Sequence, residues 1–322
     1  MRKLFVLAVA ALSAFAAQAQ ADYPTAPIRI INISSPGAGG DAIARMLADK
    51  MTPIVKGTFI MDNRPGAGGA IAADAGAKAK PDGYTLLFGG FTSHVLLAAV
   101  RPNLSYDPAK DFDPVGQIGT ASILLIATND FPANNLKEFI AQAKKAPDSI
   151  QYASWGVGST GHFCGELLNQ RAQIKTSHVP YKSVTQIQQD ILGGQIKVAF
   201  VDMASGTPMV KGGRVKALGS CLERSPSLPD VGSYDDAGIG FAGKSVALPM
   251  WALYAPAGTP KPIMDKLSGA LRQVVDMPEV KEKLLGYGVK AEFVPGDQLK
   301  KLLAGGIPEW REIARKSNIV IE

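Results

Sequence analysis

The alternation of short apolar runs with helical patterns is the feature of this sequence that most limits how the chain can fold. The runs are typical of buried strands, and the segments between them place apolar residues at helical spacing. This order is typical of parallel sheets covered by helices, so it predicts an α/β fold. The predicted strands are 28–33, 58–62, 84–89, 123–127, 150–153, 197–201, 215–219 and 251–255. The predicted helices are 41–52, 68–78, 135–145, 161–171, 184–192, 206–211, 262–274, 278–286 and 297–315.

Two segments interrupt the alternation and divide the chain into two units. We interpret residues 111–122 and 240–248 as segments in which the chain crosses from one lobe to the other. Two crossings predict two α/β lobes joined by a two-segment hinge, and a cleft between such lobes is a common ligand site. We place lobe 1 at residues 22–118 plus 246–322, and lobe 2 at residues 119–245.

The first residues have the three-part pattern of a secretory signal peptide. A basic start at residues 1–3 is followed by an apolar run over 4–17, and small-residue cleavage sites precede Gln20 and Asp22. The apolar run is shorter than the ~20 residues that a membrane helix requires. We therefore predict a signal peptide at residues 1–21 and an exported mature protein.

Charge and cysteine content exclude several classes of function. The net charge of +6 comes without a cluster of lysine and arginine, so the chain is not predicted to bind nucleic acid. Its two cysteines, Cys164 and Cys221, could form a disulfide in an oxidising compartment or remain buried thiols. No Cys-x-x-Cys pair or histidine cluster is present, and we predict neither a metal site nor a cofactor.

A glycine-rich turn, SPGAGGD at residues 35–41, leads from the first predicted strand into the first predicted helix. Backbone N–H groups at a helix N-terminus lack partners and bind anions. The turn does not match the dinucleotide fingerprint, because Ala42 stands where that pattern requires its third glycine. A purely structural turn is the alternative. The residues predicted here to hold an anion are Ser34, Ser35, Gly37, Ala38 and Gly39.

A second loop rich in glycine and hydroxyl groups, SWGVGSTGH at residues 154–162, precedes another predicted helix. Ser159 suits the N-cap of that helix, and the Trp155 ring could stack on a planar ligand. Catalysis by His162 would need a nucleophile and an orienting acid, and no recognisable spacing provides them. The ligand contacts predicted from this loop are Trp155, Gly156, Gly158, Ser159, Thr160 and His162.

Two strand ends offer further candidates. Thr92 and Ser93 follow the strand at 84–89 as possible donors, and Phe91 suits a pocket wall as well as a core. Asp202 follows the strand at 197–201, at the sheet edge where α/β proteins hold ligands. Asp202 could accept a bond from a ligand, or it could cap the next helix, which we favour. A third glycine turn at residues 63–69 is interpreted as structural.

Motifs in one consistent order span nearly the whole mature chain. They include NRPGAGG at 63–69, PDGYTL at 81–86, YDPAKDF at 106–112, HVPYK at 178–182, LGGQ at 192–195 and APAGTP at 255–260. Together they resemble the periplasmic receptors of tripartite tricarboxylate transporters, the Bug or TctC type. The resemblance implies a type II periplasmic-binding fold that closes on a small carboxylate and docks on membrane transporter subunits.

The expected function is therefore that of a monomeric periplasmic receptor rather than an enzyme. Trp155 and Phe91 favour an aromatic carboxylate or dicarboxylate, such as a phthalate-type acid, as the ligand. An aliphatic C4–C6 dicarboxylate and an acidic amino acid bound through Asp202 are the alternatives. A receptor that signals to a membrane sensor is another possibility. The rival class is a periplasmic hydrolase using Ser159 or Ser93, although the sequence has no G-x-S-x-G elbow.

Overall fold

The structure is a computed structural model, and it describes residues 23–240 and 249–316. The predicted signal peptide and nearly all of the predicted crossing at 240–248 lie outside the described residues. Within these ranges the chain forms two sheets, each packed against helices, and the predicted α/β fold with two lobes is confirmed. No helix of the described part is long and apolar enough to cross a membrane.

The sheet of lobe 1 has six strands. They are β1 (Ile28–Asn32), β2 (Phe59–Asn63), β3 (Thr85–Gly89), β4 (Phe112–Thr120), β10 (Pro249–Pro256) and β11 (Lys290–Pro295). Across the sheet their order is β11-β4-β10-β3-β1-β2. The strands β2, β1 and β3 are parallel, whereas β10 runs antiparallel to both β3 and β4. The expectation of purely parallel sheets is thus wrong here, because β10 re-enters the sheet in the opposite direction.

The sheet of lobe 2 has five strands. They are β5 (Ile123–Ala127), β6 (Gln151–Ser154), β7 (Ser177–Pro180), β8 (Val198–Asp202) and β9 (Lys216–Ser220). Their order is β7-β6-β8-β5-β9, with β6 parallel to its two neighbours and β5 antiparallel to both of its own. Every residue of β5 and β8 is buried, as expected for strands covered on both faces.

The helices follow the strands in chain order. They are α1 (Gly39–Val55), α2 (Ala70–Ala77), α3 (Leu97–Val100), α4 (Leu136–Lys145), α5 (Thr160–Ala172), α6 (Val184–Leu192), α7 (Met203–Lys211), α8 (Lys261–Asp276), α9 (Pro278–Gly286) and α10 (Gly296–Lys316). A short 3-10 turn (Ala67–Gly69) and a π-helical turn (Thr92–Leu96) precede α2 and α3. Apolar residues on one face of each longer helix cover the sheets, for example Leu267, Leu271 and Val274 of α8.

The two lobes are connected between β4 and β5, at residues 121–122. The predicted crossing at 111–122 was therefore too long, because most of it forms β4, which lies between β11 and β10 in the lobe 1 sheet. Within lobe 2, Cys164 on α5 and Cys221 after β9 form a disulfide. This bond settles the question that the sequence left open, and it ties α5 to the edge of the sheet.

Candidate functional site

A cavity of about 590 Å³, including its mouth, lies between the two lobes. The loops after β1, β2, β3, β6 and β7 line it, together with the ends of β8 and β10, so most of its wall lies at carboxyl ends of strands. Lobe 1 contributes Ile33, Ser34, Ser35, Ala38, Pro65, Gly66, Gly68, Gly69, Gly90, Phe91, Thr92 and Trp251. Lobe 2 contributes Trp155, Lys182, Ser183, Val184 and Asp202.

The structure brings some of the predicted ligand residues to this cavity and leaves others behind its wall. Those at the wall are Ser34, Ser35, Ala38, Phe91, Thr92, Trp155 and Asp202. Those that do not line it are Gly37, Gly39, Ser93, Gly156, Gly158, Ser159, Thr160 and His162. Whether the second group contacts a ligand stays a prediction, and its hydrogen bonds explain why these residues lie behind the wall.

Three N–H groups of the glycine turn at 35–41 are already bonded within the protein. The Gly37 N–H donates to Asp41 Oδ2 at 3.1 Å, and the Ala38 N–H donates to the Ser35 carbonyl at 3.1 Å. The Gly39 N–H donates across the cleft to Ser205 Oγ at 3.1 Å. The turn therefore does bind a carboxylate, as its chemistry predicts, but that carboxylate belongs to Asp41.

Asp41 is held by side chains as well as by the turn. Its Oδ2 accepts from Arg45 Nε at 3.0 Å, and its Oδ1 accepts from the Nδ2 groups of Asn63 at 2.7 Å and Asn32 at 3.2 Å. Burial of this carboxyl raises its pKa, but the hydrogen bonds from Arg45, Asn63 and Gly37 outweigh burial and hold the pKa of Asp41 below its ordinary value. The carboxylate fixes the geometry of the whole turn.

The loop at 154–162 is likewise held by internal bonds. Ser159 Oγ accepts from the His162 N–H at 3.2 Å, so the predicted N-cap is confirmed. The Gly158 N–H donates to His162 Nδ1 at 3.2 Å, and the Thr160 N–H donates to Thr92 Oγ1 at 3.4 Å. These bonds give the N–H groups of the loop partners inside the protein. Of this loop, Trp155 alone lines the cavity.

Two serine–histidine pairs lie close to the cavity without lining it. Ser154 Oγ is 2.7 Å from His178 Nε2, and Ser93 Oγ is 2.9 Å from His94 Nδ1. Both serines are fully buried. Burial lowers the pKa of His178 and of His94 to about 3, so both rings are neutral at physiological pH. Ser93 is thus part of a buried packing arrangement and offers no accessible nucleophile.

Lobe 2 supplies the cationic side of the cavity, which the sequence analysis missed. Lys182 is exposed and forms no ion pair among the residues that the structure describes. Ser183 follows it as the N-cap of α6 and accepts from the Gln186 N–H at 3.3 Å. The first N–H groups of α6 are therefore close to the Lys182 backbone at the cavity wall. The HVPYK motif and the helix predicted at 184–192 already contained this signal.

Lobe 1 also supplies residues that the sequence analysis missed. Trp251 is buried and stacks on Phe88, with 5.2 Å between ring centroids. Its buried indole N–H has no hydrogen-bond partner within the described part of the chain. Four residues of the turn at 63–69, interpreted from sequence as structural, lie at the wall as well: Pro65, Gly66, Gly68 and Gly69. A tryptophan inside a predicted strand gives no sign of which face it occupies.

Asp202 is the acidic group of the cavity. Its Oδ1 accepts from the Ser205 N–H at 2.9 Å, which confirms the favoured interpretation as the cap of α7. The residue is only 7% exposed, and burial raises the pKa of its carboxyl. Asp202 therefore acts as a helix cap and as part of the cavity wall at once.

Hydrogen bonds between the lobes hold the cleft closed. Ser35 Oγ and Thr185 Oγ1 are 2.7 Å apart, and Thr92 Oγ1 and Thr160 Oγ1 are 2.5 Å apart. The Gly39 backbone meets lobe 2 so closely that a Cβ atom there would lie 2.2 Å from a backbone carbon of Ala204. Glycine at this position permits the closed arrangement.

Comparison with known proteins places this site in context. The model of the tripartite tricarboxylate transporter family receptor matches residues 43–319. The chain is 32% identical to a UPF0065 protein of Bordetella bronchiseptica, over 96% of this chain and 90% of that protein. It is 30% identical to MatC of Rhodopseudomonas palustris with bound malate, with a TM-score of 0.81 over 90% of this chain and 99% of the other. The chain is 27% identical to an R. palustris protein solved with adipate, with a TM-score of 0.86 over 93% of this chain and 99% of the other.

Proposed function

The chain belongs to the tripartite tricarboxylate transporter receptor family, as its motifs predicted, and from this premise we propose that it captures a small carboxylate in the periplasm and delivers it to a membrane transporter. The receptor acts as a monomer and performs no chemistry on its ligand. A carboxylate enters the open cleft, and closure of the two lobes removes it from water. Loaded receptor then docks on the transporter subunits.

The observation that carries this proposal is the cationic side of the interlobe cavity. Lys182 lies there without an ion pair in the described part of the chain, next to the N-terminus of α6. A carboxylate at this position gains charge-assisted hydrogen bonds, and it interacts favourably with the helix dipole. Closure strengthens the interaction with the start of α6 because it excludes water and lowers the local dielectric constant, whereas Lys182 stays exposed and its charge is partly screened.

Aromatic side chains support an aromatic acid as the ligand. Trp155 lies on the lobe 2 wall and Trp251 on the lobe 1 wall, so closure brings an indole ring to each side of the ligand. Phe91 contributes less, because its ring is almost fully buried and packs edge-on against Trp310 at 4.9 Å. We retain an aromatic carboxylate or dicarboxylate as the proposed class. An aliphatic dicarboxylate is the second candidate, since two similar structures hold malate and adipate.

A thermal-shift screen of the mature chain tests this function. Benzoate, phthalate, succinate, malate and adipate are compared with benzamide and succinamide, which keep the ligand body without the charge. At least one acid should raise the melting temperature in a concentration-dependent manner, and neither amide should do so. Chromatography should then recover the bound acid unchanged. Stabilisation by amides and acids alike, or conversion of the acid into a product, would contradict the proposal.

A further inference from the structure

Asp202 introduces a negative group into a cavity that is proposed to bind an anion. It lines the cavity from lobe 2, and its side chain is more than nine-tenths buried. The protein groups that bond its carboxyl are neutral and lie in the first turn of α7. They are the Ser205 N–H at 2.9 Å, the Ser205 hydroxyl and the Ala204 N–H. No cation of the described residues pairs with it, so its charge is compensated by these hydrogen bonds and by the dipole of α7.

The cavity wall therefore carries two groups of opposite chemistry. Lys182 and the start of α6 favour a carboxylate, whereas the Asp202 carboxyl favours a hydrogen-bond donor or a positive charge. A buried carboxylate gains stability from a partner that brings a proton to share or a positive charge. A second ionised carboxylate at the same place would be repelled, and it would have to be desolvated without compensation.

We propose that Asp202 determines specificity by selecting carboxylates that also bear a hydroxyl or ammonium group. The selected donor lies against Asp202, and the ligand carboxylate lies on the side of Lys182. Analogues that lack the donor, or that have an ionised carboxylate in its place, are disfavoured. This inference rests on the proposed function, and it narrows the ligand class from carboxylates in general to hydroxy and amino acids.

Titration calorimetry of the mature wild-type protein in matched ligand sets tests the inference. One set is benzoate, its three monohydroxy derivatives and the three benzenedicarboxylates. The other set is succinate, malate and aspartate. In at least one set, a donor-bearing member should bind at least about tenfold more tightly than the parent acid, because the parent brings no donor to the Asp202 carboxyl.

The variant Asp202→Asn tests whether Asp202 causes the preference for donor-bearing ligands. Asparagine is as good an N-cap as aspartate, so the bond from the Ser205 N–H can be kept while the charge is removed and an N–H donor is added. The preference for the donor-bearing ligand should fall by at least about tenfold. Asp236→Asn is the matched control, because Asp236 accepts from the Ser233 N–H at 2.7 Å in the same lobe and does not line this cavity. Its ligand preference should equal that of the wild type.

The outcomes separate this inference from the proposed function. If carboxylates bind but the wild type shows no preference for a donor, or Asp202→Asn keeps that preference, Asp202 does not select the ligand and the receptor function stands. Tighter binding of a dicarboxylate with proton uptake would show a protonated Asp202 that donates, which overturns the inference. If no carboxylate binds at all, the proposed function fails first. The wild-type comparison can overturn the inference even if the variant does not fold.

Discussion

Replacing Asp41 with alanine should destabilise lobe 1, because one carboxylate holds the glycine turn, two asparagines and an arginine in place. The four donors to it are the Gly37 N–H, Arg45 Nε and the amides of Asn32 and Asn63, at 2.7–3.2 Å. Asp41→Ala leaves all four without this acceptor. The carboxylate is only 3% exposed, so water does not readily replace it.

The magnitude follows from the burial of those donors. An unsatisfied neutral donor costs about 1 kcal/mol or slightly more when it is buried, which applies in full to Asn32. Asn63 is half-buried and keeps its bond to the Ser34 carbonyl at 2.8 Å, and the exposed Gly37 N–H can bond to water, so these two donors add little. Arg45 adds less than about 1 kcal/mol, because its side chain is 51% exposed and water can solvate it. Asp41→Ala should therefore lower the free energy of unfolding by about 2 kcal/mol.

Urea unfolding followed by circular dichroism measures this loss, with Asp49→Ala as the control. Asp49 is exposed on the same helix, and its removal should change stability by less than about 0.5 kcal/mol. The folded-state pKa of Asp41 is below the ordinary value, so its contribution is present above about pH 3.9 and disappears as pH falls through the folded-state pKa. The difference in the free energy of unfolding between the variant and the wild type should therefore shrink as the pH falls. A loss below about 1 kcal/mol at pH 7 would refute this account.

Four further predictions concern the disulfide and the cleft. Replacing Cys164 and Cys221 with alanine should cost about 4 kcal/mol in urea unfolding, since their bond closes a loop of 57 residues. Trp155→Ala should weaken the binding of an aromatic acid more than that of an aliphatic acid in calorimetry, and equal losses of affinity would count against stacking. Lys182→Met should reduce carboxylate affinity about tenfold and diminish its salt dependence. Gly39→Ala should keep the lobes apart, which small-angle scattering would detect as a larger radius of gyration with ligand.

Local patterns predicted most of the helices and the buried strands. The helices at 184–192 and 278–286 have the predicted bounds, because an apolar face and clear end signals mark both. The buried strand Ile123–Ala127 is equally plain in its apolar sequence. These elements are determined by the spacing of apolar residues that are close together in the chain, and this spacing can be read directly from the sequence.

Elements stabilised by distant partners were not predicted. β4 contains proline, glycine and glutamine, and it is a strand because β10 and β11 pair with it from far along the chain. β7 and β11 are edge strands with polar residues, so neither has the apolar run of a buried strand. Their strand conformation follows from tertiary pairing, which local preference does not report.

For the candidate site, too, the sequence predicts the local chemistry but not what distant contacts determine. The turn at 35–41 has the chemistry of an anion site, but whether its anion is a ligand or Asp41 depends on hydrogen bonds from Asn32 and Asn63. Lys182 lies at the wall because β7 brings its motif to the cleft, which requires knowledge of the sheet order. The ligand residues and the lobe boundaries near 118 and 245 remain predictions.

A crystal structure of the mature chain with its tightest-binding carboxylic acid tests the central claim most directly. The account predicts the acid in the interlobe cavity, with a carboxylate oxygen about 3 Å from Lys182 Nζ or from the first N–H groups of α6. Asp41 should still occupy the glycine turn. A carboxylate bound outside the cleft, or bound to the Gly37 N–H with Asp41 displaced, would contradict the account.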